Sequence, residues 1–451
     1  MTVIDALVAV LGEDIVLTAD RIPEKSRSDQ SFSGRHLPLA VIRPMSVEQV
    51  SVALRICNDL RQPVVPQGGL TGLAGGANAG PDEIALSLDR LTGIEDIDTS
   101  AGTMTVLAGT VLEVAQKAAE EAGFLLPIDL GARGSCQIGG NLSTNAGGIR
   151  VITHGVTRDN VLGLEAVLAD GTIISSLNRM QKNNTGYDLK QLFIGAEGTL
   201  GIITRAVLKL KPLPQGRATA LCGLARFEDV VDLLYEARKQ LNGLSAFELM
   251  WAAFFRFSRE AEGLAFFDQD HPFTVIIEQS GGEEGAMETF LSEMFEQGMV
   301  TDALIAQSDK ERERFWTVRE GAALDSLPGL INFDVSLPIG VLNLYAGAVT
   351  AALEQEFPGI HVSVFGHVAD SNIHLCISAG SIDDATKHRI DTVVYEHVRA
   401  HQGSISAEHG IGVLKRDYLP YSRSPEELEL MRRIKTALDP NGIMNPGKVL
   451  P

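Results

Sequence analysis

Polar and hydrophobic positions alternate in short blocks along the first half of the chain. Ser46 followed by Gln49 is a capping-box pattern, and the apolar residues after it recur at helical spacing. Thr110 and Glu113 form a second pattern of this kind, directly after an apolar run that predicts a strand. The pair Asp170-Gly171 lies between two apolar runs and predicts a hairpin turn. The first half is therefore predicted to combine short helices with short strands.

Longer helical patterns follow a boundary rich in proline and glycine near residue 214. They alternate with apolar runs typical of strands, which predicts a second α+β region with an antiparallel sheet. A last helix is predicted to begin at Ser424-Pro425, where a serine cap precedes a proline and two glutamates. The predicted helices cover residues 228–241, 309–327, 340–357 and 383–400, and the predicted strands cover residues 273–278 and 361–365.

The composition is that of a globular protein with a large core. The chain has 451 residues, of which 45% are hydrophobic and 21% are charged, and its formal net charge is −20. Because so acidic a chain repels phosphate groups, we expect neither nucleic acid nor an anionic membrane as a partner. No stretch approaches the roughly 18 apolar residues that a membrane span needs, and the four cysteines lie far apart. These features predict a soluble, cytoplasmic protein without a disulfide framework.

Glycine accounts for 45 of the 451 residues and is concentrated in residues 68–80, 131–148 and 195–201. Residues 66–72 can expose consecutive backbone N–H groups that bind a pyrophosphate, although a surface turn would have the same composition. Residues 134–148 mix small residues with amide and hydroxyl donors, which suits close approach to a flat polar ring system. Such segments mark backbone that turns sharply or lies close to a ligand.

Two segments carry histidine beside other side chains that bind metals. His367 and His374 flank a turn rich in polar residues, and Glu408 stands directly before His409 further along the chain. Two histidines and one carboxylate are a usual ligand set for zinc, manganese or iron. The spacing alone leaves structural histidines as an alternative, because no H-E-x-x-H motif is present.

The glycine segments, together with residues 184–189 and 195–202, resemble the FAD-binding domain of the p-cresol-methylhydroxylase/vanillyl-alcohol-oxidase superfamily. From about residue 38 to residue 451, the chain resembles the FAD-dependent D-2-hydroxyacid dehydrogenases, the group of D-2-hydroxyglutarate, D-lactate and glycolate dehydrogenases. The resemblance implies an α+β fold. Its parts would be an N-terminal segment (1–37), a p-cresol-methylhydroxylase-type FAD-binding domain (38–214), an antiparallel-sheet α+β substrate-binding cap domain (215–440) and a C-terminal tail (441–451) that returns to the flavin.

The resemblance also implies which residues contact FAD. In covalent flavoproteins of the superfamily, a histidine often follows the paired glycines of the first loop. Leu70 occupies that position here, so the resemblance implies non-covalent FAD. The residues implied to contact the flavin are Pro66, Gln67, Gly68, Gly69, Leu70, Thr71, Gly72, Gly134, Ser135, Gly139, Gly140, Asn141, Ser143, Thr144, Asn145, Gly147, Gly148, Glu197, Gly198, Gly201, Ile202 and Asn445.

The metal-dependent members of the family imply roles for five further residues. His367, His374 and Glu408 match the ligands of a divalent metal, with zinc as the first choice and manganese as the alternative. His409 matches the general base, and Arg319 matches an arginine that holds the substrate carboxylate. For Arg319, an ion pair on a helix surface is the alternative.

The implied reaction oxidises a D-2-hydroxy acid to the 2-oxo acid by hydride transfer to flavin N5 and passes electrons to an external acceptor, such as an electron-transfer flavoprotein or a quinone. Ala323, Asn332 and Cys376 stand where D-2-hydroxyglutarate specialists have threonine, lysine and asparagine. Because a buried carboxylate without polar partners is costly, we expect a neutral or apolar substrate side chain, as in D-lactate. The alternatives are a D-2-hydroxyglutarate dehydrogenase, a glycolate-oxidase-type subunit of a larger complex and an oxidase that uses dioxygen. A homodimer is one possible assembly.

Overall fold

The structure, a computed structural model, describes residues 2–451. The chain forms two compact units. The first unit consists of residues up to 148, 154–213 and 408–451, and the second consists of residues 149–153 and 214–407. The implied domain bounds group the chain differently, since residues 2–37 and 408–440 belong to the first unit in the structure.

The strands are short in the first half of the chain and longer in the second. In chain order they are β1 (Val16–Leu17), β2 (Ala40–Ile42), β3 (Val64–Gln67), β4 (Ile84–Ser87), β5 (Ile94–Asp98), β6 (Thr103–Leu107), β7 (Phe124–Leu125), β8 (Val161–Val167), β9 (Ile173–Ser176), β10 (Ile202–Lys209), β11 (Lys211–Pro212), β12 (Arg217–Leu224), β13 (Leu244–Trp251), β14 (Phe273–Ser280), β15 (Asp302–Ile305), β16 (Leu330–Ser336), β17 (His361–Gly366) and β18 (Asn372–Ser378).

The α-helices alternate with these strands. In chain order they are α1 (Val3–Leu11), α2 (Val47–Asp59), α3 (Leu112–Glu121), α4 (Ile138–Thr144), α5 (Val151–His154), α6 (Lys190–Phe193), α7 (Phe227–Gln240), α8 (Ala252–Ala261), α9 (Ala286–Glu296), α10 (Asp309–Glu320), α11 (Leu342–Glu356), α12 (Asp384–Ala400) and α13 (Pro425–Leu438).

The first unit contains two larger sheets. In one, β2, β4 and β3 run parallel, and β1 pairs antiparallel with β2 at the edge. The other has the order β5-β6-β10-β8-β9 with antiparallel pairs throughout. Ile443 and Met444 are buried in the apolar core of this unit, and the N–H of Asn445 donates to the carbonyl of Val64 at 2.8 Å. The C-terminal tail therefore packs against β3, whose last residue precedes the first glycine loop.

The second unit is built on one seven-stranded antiparallel sheet with the order β15-β12-β14-β13-β17-β18-β16. This sheet confirms the predicted α+β class with an antiparallel second region. The register places His374 on β18 opposite Phe365 on one side and opposite Asp334 on the other. Because directly opposite residues share a face of the sheet, these side chains lie on the same face.

The cap signals have mixed outcomes. At α13 the full capping box forms, since the Ser424 hydroxyl accepts from Glu427 N at 3.2 Å and the Glu427 carboxylate accepts from Ser424 N at 2.7 Å. At α2 the hydroxyl of Ser46 caps Gln49 N at 3.3 Å, but the Gln49 side chain accepts from Met45 N instead. The capping box at α13 is therefore complete, and the capping box at α2 is half formed.

The capping box predicted at Thr110 is wrong. Helix α3 begins at Leu112 with Val111 in the N-cap position and without a side-chain cap. The Thr110 hydroxyl instead accepts from Gly93 N at 2.9 Å and donates to the Gly93 carbonyl at 3.2 Å. The helix predicted over residues 309–327 is shorter, because Gly321 adopts a φ of +63° and ends α10. No helix within residues 2–451 is long and apolar enough to cross a membrane.

Candidate active site

A cavity of about 460 Å³ lies in the first unit, lined by the predicted glycine segments. The loop after β3, the beginning of α4 and the turn before β10 contribute to its wall. The residues implied to contact FAD that line it are Pro66, Gln67, Gly68, Gly69, Leu70, Thr71, Gly72, Gly139, Gly140, Asn141, Ser143, Thr144, Gly147, Glu197, Gly198, Gly201 and Ile202. Segments that are far apart in sequence therefore meet at one cavity.

The glycines of this cavity are needed because backbone packs on backbone. A Cβ atom on Gly69 would lie 2.2 Å from the carbonyl oxygen of Ser135. On Gly139 it would lie 2.8 Å from the Cβ atom of Ala108. Leu70 adopts a φ of +60°, a conformation that few non-glycine residues adopt. Because these glycines have no side chains, the backbone segments can pack closely at the cavity. A larger residue would push them apart.

Three buried side-chain acceptors belong to residues of the cavity wall. Oε1 of Gln67, Oε1 of Gln137 and Oδ2 of Asp29 have no hydrogen-bond partner within the described residues. Flavin nucleotides offer N–H and O–H donors, from which such oxygens can accept hydrogen bonds. The cavity therefore fits FAD both by its glycine-lined cradle and by its polar wall.

The remaining residues implied to contact the flavin lie outside the lining of the cavity; they are Gly134, Ser135, Asn145, Gly148 and Asn445. Asn145 ends α4 with a φ of +50°, and its Oδ1 accepts from Arg158 N at 2.9 Å. The amide of Asn445 donates to the carbonyls of Gly76 at 3.0 Å and Glu197 at 2.7 Å. The side chains of Asn145 and Asn445 therefore bind neighbouring backbone. Contact of these five residues with the flavin stays a prediction.

Glu197 fixes the turn that follows Glu408 and His409. Its carboxylate accepts the N–H groups of Ile411 at 2.7 Å and Gly412 at 2.9 Å. Burial raises the pKa of Glu197, although these N–H groups oppose the change. Both Glu408 and His409 line the cavity, so Glu197 holds in place the segment that carries them.

The three residues predicted to bind a metal come together. His367, His374 and Glu408 each offer one ligand atom, and these atoms lie within 4.8 Å of one another. Glu408 directly follows Ala407, whose N–H donates to the carboxylate of Asp334 at 3.1 Å. The two imidazole rings stand nearly perpendicular, at 87°, with 5.2 Å between their centroids. Two nitrogens and one carboxylate oxygen in this arrangement could hold a divalent metal.

Glu248 on β13 joins two of the predicted site residues. Its Oε1 accepts from Nδ1 of His367 at 2.7 Å, and its Oε2 accepts from Nε of Arg319 at 2.7 Å. Burial alone would raise the pKa of Glu248, but its contacts with His367 and Arg319 lower it. Arg319 is 7% exposed, so it is a buried residue of this cluster and forms no surface ion pair.

Glu248 is not among the site residues predicted from the sequence. The available signal was one charged residue within an otherwise buried strand, β13, whose neighbours Phe247 and Leu249 are apolar. A carboxylate in such a position requires a partner. Its partners are 71 and 119 positions away in sequence, so the pattern along the strand could not identify them.

Two of the residues expected to shape the substrate pocket face each other. Asn332 on β16 lies directly opposite Cys376 on β18. Burial raises the pKa of Cys376 to about 12, so the thiol is neutral, and the charges of Arg319 and Asp325 act on it in opposite directions. Ala323 lies in the short helical turn after α10 that also carries Asp325.

Two family models match the chain. Residues 38–176 match the model described as "FAD binding domain", and residues 213–449 match the model described as "FAD linked oxidases, C-terminal domain". The first match contains β3, α4 and the predicted glycine segments at 68–80 and 131–148. The second contains His367, His374 and Glu408.

Curated relatives align over most of their length. The mitochondrial D-2-hydroxyglutarate dehydrogenase of Bos taurus is 40% identical over 91% of this chain and 76% of its own length. The D-2-hydroxyglutarate dehydrogenase of Xanthomonas citri pv. viticola is 41% identical over 91% of this chain and 89% of its own length. A Schizosaccharomyces pombe protein, provisionally named a mitochondrial D-lactate dehydrogenase, is 38% identical over 90% of this chain and 81% of its own length.

Solved structures show the same fold at low identity. p-Cresol methylhydroxylase with substrate bound superposes with a TM-score of 0.78 at 17% identity, over 99% of this chain and 96% of that chain. The 4-ethylphenol oxidase from Gulosibacter chungangensis gives 0.75 at 20% identity, with the same coverage. The predicted fold class is confirmed, and the cytoplasmic location stays a prediction.

The resemblance found in the glycine and histidine segments is thus confirmed by matches that extend well beyond those segments. The chain belongs to the FAD-linked oxidases of the p-cresol-methylhydroxylase/vanillyl-alcohol-oxidase superfamily and, within them, to the FAD-dependent D-2-hydroxyacid dehydrogenases.

Proposed function

We propose that this chain oxidises a D-2-hydroxy acid with the help of a divalent metal held by His367, His374 and Glu408. The observation that carries the proposal is the convergence of these three ligand atoms within 4.8 Å in a D-2-hydroxyacid dehydrogenase. A divalent metal there would bind the substrate hydroxyl and carboxylate and lower the pKa of the hydroxyl. The ligand set suits zinc, with manganese as the alternative.

Arg319 would hold the substrate carboxylate. Its Nε and Nη2 are engaged with Glu248, at 2.7 and 2.6 Å. Its Nη1 has no hydrogen-bond or ion-pair partner among residues 2–451 and can donate to an anion. The guanidinium carbon lies 4.7 Å from the centroid of the Phe365 ring, a distance typical of a cation–π contact. A buried guanidinium binds a carboxylate more strongly than an exposed one, because water competes less.

His409 would accept the proton of the substrate hydroxyl. It directly follows the proposed ligand Glu408, and it lines the cavity in the first unit. An imidazole can exchange a proton near neutral pH, which makes it suitable as a general base. The turn fixed by Glu197 would keep this base in place.

The cavity would hold FAD without a covalent bond, because Leu70 offers no nucleophile at the position of the flavin-carrying histidine. FAD supplies the acceptor of the hydride, at N5 of its ring. The backbone N–H groups of residues 66–72 would bind the pyrophosphate. The electrons would then pass to an external acceptor such as an electron-transfer flavoprotein or a quinone.

For the substrate side chain, the names of the relatives favour D-2-hydroxyglutarate over the D-lactate-like substrate that Ala323, Asn332 and Cys376 predict. Two of the three relatives described above carry the name D-2-hydroxyglutarate dehydrogenase. D-2-hydroxyglutarate is therefore the first candidate. The second candidate is a D-2-hydroxy acid with a neutral side chain, which the uncharged residues Ala323, Asn332 and Cys376 favour, since they offer no charge to pair with a second carboxylate.

The test compares D-2-hydroxyglutarate, D-lactate, D-2-hydroxybutyrate and D-malate with one artificial electron acceptor. The first candidate predicts the highest kcat/KM for D-2-hydroxyglutarate, and a higher value for D-lactate or D-2-hydroxybutyrate would establish the second. Measuring peroxide per turnover in air distinguishes a dehydrogenase, which forms little, from an oxidase, which forms one peroxide per substrate. Turnover by the isolated chain would exclude a dependence on a larger complex.

A further inference from the structure

Glu248 has no role in the function proposed so far, yet it is a carboxylate that is 1% exposed at the centre of a sheet. Its neighbours along β13 are buried apolar residues. Burying a charge is costly unless partners compensate it. The two partners that Glu248 has are therefore needed, and both belong to the proposed site.

The two oxygens of this carboxylate are divided between these partners. Oε1 binds the imidazole of His367, and Oε2 binds the guanidinium of Arg319 through Nε and Nη2. An aliphatic or amide side chain could not accept hydrogen bonds from both partners, because it does not have two acceptor oxygens. One short side chain thus links the proposed metal ligand to the residue proposed to bind the substrate carboxylate.

The contact with His367 also determines which ring nitrogen can bind a metal. An ionised carboxylate only accepts hydrogen bonds, so Nδ1 of His367 must carry the proton in their 2.7 Å contact. In the neutral imidazole, the lone pair is then on Nε2. Carboxylates that bind the second nitrogen of a histidine ligand orient the ring and strengthen its bond to the metal.

We propose that Glu248 is a positioning residue that prepares His367 to bind the metal and, at the same time, fixes Arg319 for the substrate carboxylate. This inference rests on the proposed function of those two residues. Its consequence is that one substitution weakens two different binding events. A residue that only stabilised the fold would change neither the metal affinity nor the KM selectively.

Glu278 on β14 provides a matched control. It is another fully buried carboxylate of the same sheet and accepts from Trp316 and Thr219 at 3.1 Å, from Ser245 at 3.4 Å and from Arg150, with Arg217 at 3.8 Å. None of these partners is among the residues proposed to bind metal or substrate or to accept the proton. Replacing either glutamate by glutamine keeps the shape of the side chain, removes one buried charge and disturbs several hydrogen bonds.

The first measurement is the affinity for Zn²⁺ of FAD-containing protein freed of metal, determined by competition with a chelating dye. Glu248→Gln is expected to weaken zinc binding about 10- to 100-fold. Glu278→Gln is expected to bind zinc like the wild type, even where its melting temperature falls by a similar amount.

The second measurement is the KM for D-2-hydroxyglutarate, determined from steady-state rates with saturating zinc. Glu248→Gln is expected to raise the KM by about tenfold or more, because Arg319 loses its fixed orientation. Glu248→Asp, which keeps the charge but shortens the side chain, is expected to lie between Glu248→Gln and the wild type in both measurements. It also serves as the test if the glutamine variant does not fold.

Three results would overturn the inference. Wild-type zinc affinity and KM in Glu248→Gln, or in Glu248→Asp where only that variant folds, would remove the positioning role and leave the proposed function intact. Equal losses of zinc affinity in Glu248→Gln and Glu278→Gln would reduce Glu248 to a structural residue. A wild-type protein that binds no zinc or manganese would overturn the proposed metal site, and this inference with it.

Discussion

The carboxylate of Glu197 accepts the backbone N–H of Ile411 at 2.7 Å, although the two residues are 214 positions apart in the chain. The same carboxylate accepts from Gly412 at 2.9 Å. Gly410 adopts a φ of +78°, and a Cβ atom on it would lie 2.8 Å from the Glu197 carboxylate, so this turn favours glycine. The contact ties the wall of the flavin cavity to the segment that carries Glu408 and His409.

Glu197→Ala is therefore expected to impair catalysis through the position of this segment. Losing both hydrogen bonds frees the turn, and a displacement of about 1 Å can reduce a rate by a factor on the order of 10². We predict a fall in kcat of about tenfold or more, measured with an artificial acceptor and normalised to bound FAD. Glu427→Ala is the control, since Glu427 also caps a backbone N–H, that of Ser424 at 2.7 Å, but does not line the cavity. An unchanged kcat in Glu197→Ala would show that the turn is held without it.

Replacing a proposed metal ligand and replacing the proposed base should have different effects. His374→Ala and Glu408→Ala are each expected to lose bound divalent metal, to retain FAD and to lose most turnover. His409→Ala is expected to retain both metal and FAD while its kcat falls about 10²- to 10⁴-fold, because only proton transfer is impaired. Elemental analysis and the flavin absorbance of each purified variant separate these cases.

His388→Ala is the control for these variants, because His388 lies on the exposed side of α12. It is expected to bind metal and turn over like the wild type. Full activity of the wild type after exhaustive chelation, with no metal found by elemental analysis, would exclude a catalytic metal. Loss of metal in His409→Ala would instead make His409 a ligand.

Gly69→Ala should reduce the FAD content of the purified protein. The added methyl group would lie 2.2 Å from the carbonyl oxygen of Ser135, which forces the two glycine segments apart. Gly347→Ala, whose added methyl group meets no atom within 4 Å, is expected to keep full FAD content. Heating the wild type should release intact FAD into the supernatant. Flavin that stays with the denatured chain would contradict non-covalent binding.

Substitutions opposite each other on β16 and β18 should change the substrate preference. Asn332→Lys adds a cation, and Cys376→Asn adds a hydrogen-bond donor, on the same face of the sheet as His374. In the double variant, we expect kcat/KM for D-2-hydroxyglutarate to rise about tenfold or more relative to kcat/KM for D-lactate. One or two added polar contacts account for a change of this size. Ser381→Lys, which adds the same charge in an exposed turn, should leave this ratio unchanged. An unchanged ratio in the double variant would place the substrate side chain elsewhere.

The sequence predicted those elements whose signals are local. The serine, proline and glutamates at the beginning of α13 satisfy one another within one turn, and Asp170-Gly171 joins the antiparallel strands β8 and β9. Thr110 failed as a cap because its hydroxyl pairs with Gly93, 17 positions away. A competing partner outside the local window is not visible in a capping pattern.

For the candidate site, the residue types were predicted but not all of their connections. The glycine segments and the histidine and carboxylate set were found because several short patterns matched one family at once. Glu248 was missed because neither Arg319 nor His367 lies near it in sequence. The roles of Glu197 and Asn445 in holding the cavity wall likewise depend on contacts between distant segments.

The reaction proposed for this chain is the transfer of the hydride of a D-2-hydroxy acid to the chain's own FAD with the help of a bound divalent metal. The most direct test mixes zinc-loaded, FAD-containing protein with D- or L-2-hydroxyglutarate, and with D- or L-lactate, without oxygen, and follows the flavin absorbance near 450 nm. At least one D-enantiomer is expected to bleach the flavin completely, and its L-enantiomer is expected to do so slowly or not at all. In metal-depleted protein, the rate of flavin reduction by the same D-enantiomer is expected to be lower by a factor on the order of 10² or more. Flavin that remains oxidised with both D-2-hydroxy acids, or that is reduced equally fast without metal, would exclude this metal-assisted reaction.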